Sequence, residues 1–225
     1  MTIKAVIFDL DGVLIDSLPF HYASYVRLYS QLGIKYPFKE FVSRDITAGA
    51  MNTIPRVLKE HGKNSREIKN IINKRKIDFR RLVGEKNMLM HNYPIKLYGG
   101  VLPLLKQLEK NHYKLAVASG GTHYFVHFIL RKNKIQKYFS AVVTGQDHVK
   151  KKPHPDIFLK AAKKLHVRPN ECLVIEDAHD GVAAAKRAGM KVIGHYVPKY
   201  KQDLSRADKI VGNMRKIDTS KIREI

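Results

Sequence analysis

The sequence predicts a doubly wound α/β fold, a parallel sheet with helices on both faces, interrupted early by an all-helical segment. Three observations carry this. Ile3-Lys4-Ala5-Val6-Ile7-Phe8 is a short apolar run rich in β-branched residues, the pattern of a strand buried on both faces. From Gly99 onward, short apolar runs alternate with segments of helical period, which means parallel strands joined by crossover helices. Between them, from about Pro19 to Leu82, helical periodicity prevails with little strand character.

In chain order, the first strand runs into Phe8-Asp9-Leu10-Asp11-Gly12-Val13-Leu14. Near-extended geometry sends Asp9 and Asp11 to one side and Leu10 into the core, while Gly12 breaks the strand and lets the backbone approach a ligand. Tyr22, Val26 and Tyr29 fall at helical spacing, with Gly33 as terminator. A second helix covers Met51 to Glu60, ended by Gly62. A third starts at Ser65 as N-cap, with Ile68, Ile71, Ile72 and Phe79 as its apolar stripe. Gly84 to Tyr98 lacks periodicity and reads as a linker, long enough to mark a boundary. Then follow a helix at Val101–Asn111, a strand at Lys114–Ala118, a helix at His123–Asn133 and a strand at Ala141–Val143. A helix at Pro155–His166, a strand at Cys172–Ile175 and a helix through Val182–Ala188 come next. Strands at Lys191–Ile193 and Lys209–Val211 and a short terminal helix after Asn213 complete the series. The chain is therefore expected to divide into a core of residues 1–17 and 91–225 and a helical segment of residues 18–90 with its linkers, standing above the sheet as a lid.

At 225 residues with 44% hydrophobic composition, the chain can bury a real core. The single Cys172 sits in an apolar run, which excludes an internal disulfide and fits a reducing compartment. No charged-then-apolar leader precedes the first strand and no apolar run is long enough to span a bilayer, so a soluble cytoplasmic protein without a membrane partner is expected. The formal charge of +22, from 42 Lys and Arg against 20 Asp and Glu, favours anionic partners. The basic residues are spread along the chain. The dense clusters, Lys74-Arg75-Lys76 with Arg80-Arg81 and Lys150-Lys151-Lys152, interleave no aromatics in the manner of a single-strand binder, so nucleic acid is not the expected partner.

In an open parallel sheet, ligands bind beyond the carboxyl ends of the strands. The first strand ends in Asp9-Leu10-Asp11. The next ends in Ser119-Gly120-Gly121, a hydroxyl followed by bare amides that can cradle an oxyanion. After Ala141–Val143 the loop passes through Lys152 into Pro153-His154-Pro155-Asp156, where two prolines stiffen the chain and can hold a lysine at the site. The strand at Cys172–Ile175 runs into Glu176-Asp177. Each feature alone is an ordinary turn or a solvated charge. Together, at one end of one sheet, they offer oxygen ligands suited to Mg²⁺ and a hydroxyl–lysine clamp for phosphate oxygens, a set that describes phosphoryl transfer.

Asp9-Leu10-Asp11-Gly12-Val13-Leu14, Ser119, Lys152-Pro153 and Glu176-Asp177 resemble, in order and spacing, the motifs of the haloacid dehalogenase superfamily. Lys152-Pro153-His154-Pro155-Asp156-Ile157-Phe158 and Val174-Ile175-Glu176-Asp177 are similar to its β-phosphoglucomutase-like branch, which includes many sugar-phosphate phosphatases. The resemblance implies a Rossmann-like core with an inserted all-helical cap. It implies Asp9 as nucleophile forming an aspartyl-phosphate, Asp11 as general acid and base, and Ser119, Gly120 and Lys152 as phosphate-binding residues. It also implies Mg²⁺ held by Asp9, the Asp11 carbonyl and Asp177, with Glu176 among the metal-site residues.

The resemblance also separates reaction types. Asp11 and Glu176-Asp177 argue against carbon–halogen cleavage, and Asp11 against phosphonate cleavage. For a phosphomutase, His21 and Lys76 stand where the mutase has a histidine and a cap lysine. The cap arginine is replaced by Asn52, however, and a mutase serine by Gly121. The expected activity is therefore Mg²⁺-dependent hydrolysis of a small phosphorylated metabolite, a sugar phosphate first, by a monomer. A phosphomutase is the alternative, and a basic nucleic-acid-binding protein on the same scaffold the distant one. His21, Asn52 and Lys76 are the candidate substrate residues of the cap. His123 and His127 share a helix face but read as packing or surface. His154 and His179 lie in loops at the site, and Met88 and Met90 read as contacts under the cap.

Overall fold

The strands are, in chain order, β1 (Ala5–Phe8), β2 (Ile15–Asp16), β3 (Lys96–Leu97), β4 (Lys114–Ser119), β5 (Ala141–Thr144), β6 (Cys172–Glu176), β7 (Lys191–His195) and β8 (Lys209–Val211). The structure is a computed structural model describing residues 2–45, 50–83, 92, 94–198 and 202–225. β1 and β4 to β8 form one sheet in the order β5-β4-β1-β6-β7-β8, with every pairing parallel. β1 is central because its residues are almost wholly removed from water and pair on both edges, Val6 lying opposite Leu115 and Leu173. The chain builds outward through β4 and β5, then crosses to the other side of β1 for β6, β7 and β8. That reversal opens a crevice at the carboxyl edge.

The helices are α1 (Leu18–Ser30), α2 (Ala50–Glu60), α3 (Ser65–Val83), α4 (Val101–Lys110), α5 (His123–Lys132), α6 (Asp156–Leu165), α7 (His179–Arg187) and α8 (Thr219–Arg223). Ile157, Phe158, Ala161, Ala162 and Leu165 of α6 and Val182, Ala184 and Ala185 of α7 share one core with Ala5, Ile7, Ala116, Val143 and Val174 of the sheet. Val6, Phe8, Leu115 and Val117 alternate to the opposite face and are equally buried, so apolar cover lies on both sides.

By its internal contacts the chain divides into two units, Met1–Asp16 with Lys96–Ile225, and Ser17–Ile95. The second unit is helical. Tyr25, Tyr29, Tyr36 and Phe41 pack their rings together there, with Tyr29 stacked on Tyr25 at 6.1 Å and edge-on to Tyr36 at 4.8 Å. At the end of α1, Gly33 takes φ +71° while the Gly33 and Ile34 amides close back onto the carbonyls of Ser30 and Tyr29, so its role as terminator is met.

Two local expectations need correction. The cap of α3 is Asn64, not Ser65. Its Oδ1 accepts from the amides of Arg66 and Glu67, and Glu67 Oε2 accepts from the Asn64 amide, a reciprocal capping box. The segment 84–98 is also more than a linker. Its last part forms β3, which pairs antiparallel with β2, Ile15 opposite Leu97 and Asp16 opposite Lys96. Met88 and Met90 lie outside the described residues. Among the described residues no helix is long and apolar enough to cross a membrane.

Candidate active site

The carboxyl edge is assembled by strand register. Phe8 pairs with Val117 and Ile175, which sets the next residue, Asp9, level with Ala118 on one side and Glu176 on the other. The Asp9 amide continues the ladder by donating to Ile175 O at 3.0 Å. Leu10 then turns fully into the core, while Asp11 stays half-buried at the rim. The turn closes tightly, with the Leu14 and Ile15 amides on Leu10 O at 2.9 and 3.1 Å and the Gly12 amide on Ile15 O at 3.0 Å. Gly12 sits at φ +76°, and a Cβ there would lie 2.0 Å from Asp177 Oδ2. The loop after β6 therefore rests its carboxylate against a bare Cα, and only glycine serves.

Lys152 reaches the centre of this edge. Its Nζ donates to Asp9 Oδ1 and to Glu176 Oε1, both at 2.5 Å, and lies 5.0 Å from the centroid of the Phe158 ring. The Lys152–Pro153 peptide is cis. Burial opposes the Lys152 charge, but the Asp9 and Glu176 carboxylates outweigh it and raise its pKa. Asp9 is pushed up to about 7, first by burial and then by Glu176 and Asp11, against the pull of Lys152. Asp177 is held well above the usual carboxylate range by burial and by Glu176, Asp9 and Asp11.

Glu176 was expected among the metal-site residues. Its oxygens are otherwise engaged: Oε1 binds Lys152, and Oε2 accepts from the amides of Asp177 and Ala178 at 2.7 and 2.8 Å. Gly181 makes room for it, since a Cβ there would meet Glu176 Oε1 at 1.8 Å. The geometry makes Glu176 the anchor of Lys152 and of the following loop. Asp9, Asp177 and the Asp11 carbonyl offer only oxygen donors, and the Asp9 carboxylate helps raise the Asp177 pKa, a repulsion that a hard cation would relieve. They fit Mg²⁺ with water or substrate oxygens completing the shell. Among the described residues no group of three His, Cys, Asp or Glu side chains could hold a metal by itself.

Ser119 is buried at the end of β4 and its Oγ accepts from the Gly121 amide at 3.1 Å. The loops after β4 and β5 lie in contact, for Gly145 donates to Gly121 O at 3.1 Å and a Cβ on Gly145 would meet Gly120 O at 2.5 Å. Gly120 itself is exposed, and the place of a Cβ there is open space. Ser119, Gly120 and Lys152 thus stand on adjoining rim loops.

The candidate cap residues belong to the helical unit: His21 half-buried on α1, Asn52 exposed on α2, and Lys76 on α3 with its side chain outside the described residues. The rings of His123 and His127 lie tilted at 45° with centroids 4.8 Å apart, and His123 Nδ1 meets Thr144 Oγ1 at 3.1 Å, a polar helix-start cluster. His154 and His179 are exposed and pair with Asp156 and Asp180. Two residues of the edge escaped the sequence analysis. His195, the last residue of β7, bonds through Nδ1 to Gly12 O at 2.6 Å, and Gln202 donates to Asp177 O at 2.6 Å. A histidine ending the apolar run Val192-Ile193-Gly194 was the available signal for the first. Gln202 gave none.

The class of protein follows from the sheet and its edge: a doubly wound α/β frame with an acidic, lysine-centred site at the strands' carboxyl ends. The family model of haloacid dehalogenase-like hydrolases matches residues 6–195. A β-phosphoglucomutase of Bacillus subtilis (strain 168) is 32% identical over 85% of this chain and 82% of its own. A phosphorylated carbohydrates phosphatase of Thermotoga maritima is also 32% identical, over 84% and 83%. The crystal structure of CbbY from Rhodobacter sphaeroides in complex with phosphate superposes with a TM-score of 0.81 over 100% of both chains at 24% identity, a likeness of fold. The chain belongs to the haloacid dehalogenase-like hydrolases, in their β-phosphoglucomutase-like branch.

Proposed function

We propose that this protein hydrolyses the phosphoric monoester of a small phosphorylated metabolite, a sugar phosphate first, with Mg²⁺ as cofactor. The observation that carries this is the Lys152–Asp9 pair at 2.5 Å on the edge where Asp11, Ser119 and Asp177 also stand. In this reading the Asp9 carboxylate attacks phosphorus and the ester oxygen leaves with a proton from Asp11. Asp11 then takes a proton from water, which attacks the aspartyl-phosphate and releases phosphate and free Asp9. Ser119 Oγ, the Gly120 amide and Lys152 bind the transferred group, and Lys152 holds Asp9 in line. Mg²⁺, held by Asp9, Asp177 and the Asp11 carbonyl, supplies charge that offsets the repulsion between nucleophile and ester. Residues 18–90 are assigned the role of cap.

Phosphate release from a panel of phosphorylated metabolites, with and without Mg²⁺, tests the reading. Release from a sugar phosphate that needs Mg²⁺ and vanishes in Asp9→Asn is expected, and full activity of Asp9→Asn overturns it. The equal identity to a named β-phosphoglucomutase favours one second reading, a phosphomutase. Incubation with β-glucose 1-phosphate and a trace of the bisphosphate separates the two: glucose 6-phosphate without free phosphate supports the mutase.

A further inference from the structure

His195 and Gln202 complete a closed circuit behind the site. His195 is buried, and its Nδ1 lies 2.6 Å from Gly12 O. A carbonyl oxygen only accepts, so Nδ1 carries the proton and the ring donates. The ring is fixed edge-on to Tyr98, with centroids 5.1 Å apart and planes at 76°. On its other side Gly12 meets the Asp177 carboxylate at bare Cα. Gln202 closes the loop: Nε2 donates to Asp177 O at 2.6 Å and to His195 O at 3.2 Å, and stands 3.4 Å from Asp177 Oδ2. Its Oε1 accepts from the Val197 amide at 2.6 Å.

We propose that His195 and Gln202 are positioning residues that set the spacing between the Asp11–Gly12 turn and the Asp177 loop, and so between the two halves of the cation site. The turn and the Asp177 loop hang from neighbouring strands, and strand register alone does not fix them beyond the last ladder bond. His195 pins the turn by its carbonyl, Gln202 pins Asp177 by its carbonyl, and the Gln202–His195 bond joins the two pins. Without the circuit the Asp11 carbonyl and Asp177 move independently, and a cation demanding near-octahedral geometry feels that at once. A recess of about 300 Å³ beside the circuit is lined by Tyr98, His195, Val197, Asn213 and Arg215, among others.

The inference rests on the phosphatase reading, and its test separates the two. Wild type, His195→Leu, His195→Asn and Gln202→Leu are compared for Mg²⁺ affinity by calorimetry without substrate, for kcat and KM on p-nitrophenyl phosphate, and for thermal unfolding. His195→Leu and Gln202→Leu are expected to weaken Mg²⁺ binding and lower kcat by about 10- to 100-fold with little change in KM. Asn Nδ2 branches from Cγ where His Nδ1 does, so His195→Asn is expected to regain most of the loss. Folded Leu variants that bind Mg²⁺ as tightly as wild type overturn the proposal, as does a His195→Asn no better than His195→Leu. If His195→Leu does not fold, Gln202→Leu decides on the same Mg²⁺ measurement. A wild type that binds Mg²⁺ but releases no phosphate overturns the phosphatase reading, while the calorimetric comparison still judges the circuit.

Discussion

Lys152 Nζ lies 2.5 Å from Asp9 Oδ1, and the same ammonium is held from behind by Glu176 at the same distance. One buried cation therefore both orients Asp9, the proposed nucleophile, and neutralises the anchor beneath it. Lys152→Met is expected to abolish phosphate release and to destabilise the fold by about 3 kcal/mol, the lower part of the range for a broken buried pair, because two amides still hold Glu176. Urea unfolding measures the loss. Adding Glu176→Gln to Lys152→Met is expected to recover part of the stability and no activity, since one of the two uncompensated carboxylates is gone but Asp9 remains unheld.

Gly12→Ala places a methyl 2.0 Å from Asp177 Oδ2 at a φ of +76°. The carboxylate must move. The Mg²⁺ concentration giving half-maximal rate is expected to rise about tenfold or more, while KM for substrate at saturating Mg²⁺ changes little. An unaltered Mg²⁺ dependence contradicts the close approach.

Glu171, in the turn just before β6, is held at about 2 by hydrogen bonds from Arg168 and Lys4, with ion pairs at 3.0 and 2.7 Å. A carboxyl depressed in the folded state stabilises it above its ordinary value of 4.5, and that contribution fades as pH falls toward 2. Glu171→Gln is therefore expected to be less stable than wild type at neutral pH, with the gap closing on acidification through that window. Denaturant midpoints across pH record it. A constant gap rules the linkage out.

The formal charge of +22 predicts steering of anionic substrates. kcat/KM for a phosphorylated substrate is expected to fall steeply with ionic strength while kcat holds nearly level, which a salt titration at fixed Mg²⁺ resolves.

Much of the fold and the outline of the site were legible in the chain. A β-branched run ending in Asp9-Leu10-Asp11 specifies a buried strand and two carboxylates at its mouth, because strand alternation is local physics. Lys152 was legible through the two prolines that follow it, Pro153 and Pro155. The duty of Glu176 was not, since it depends on the register that sets Asp9 level with it across β1 and β6. His195 and Gly12 are 183 positions apart, a contact no local pattern announces. The Asn64 cap was legible in retrospect: Glu67 stands three residues after Asn64, the spacing of a capping box, whereas Ser65 has no acidic or amide residue at that offset. The two-residue ladder of β2 and β3 is too short for any period to show.

That ladder has a consequence of its own. Because Asp16 and Lys96 are paired neighbours, the chain leaves and re-enters the sheet unit at a single doorway, and residues 17–95 form an excursion whose ends already touch. Such an excursion can be exchanged for another of different length or chemistry, or closed by a short turn, without re-registering any strand of the six. The carboxyl edge and the inserted segment are thereby separable parts of one polypeptide.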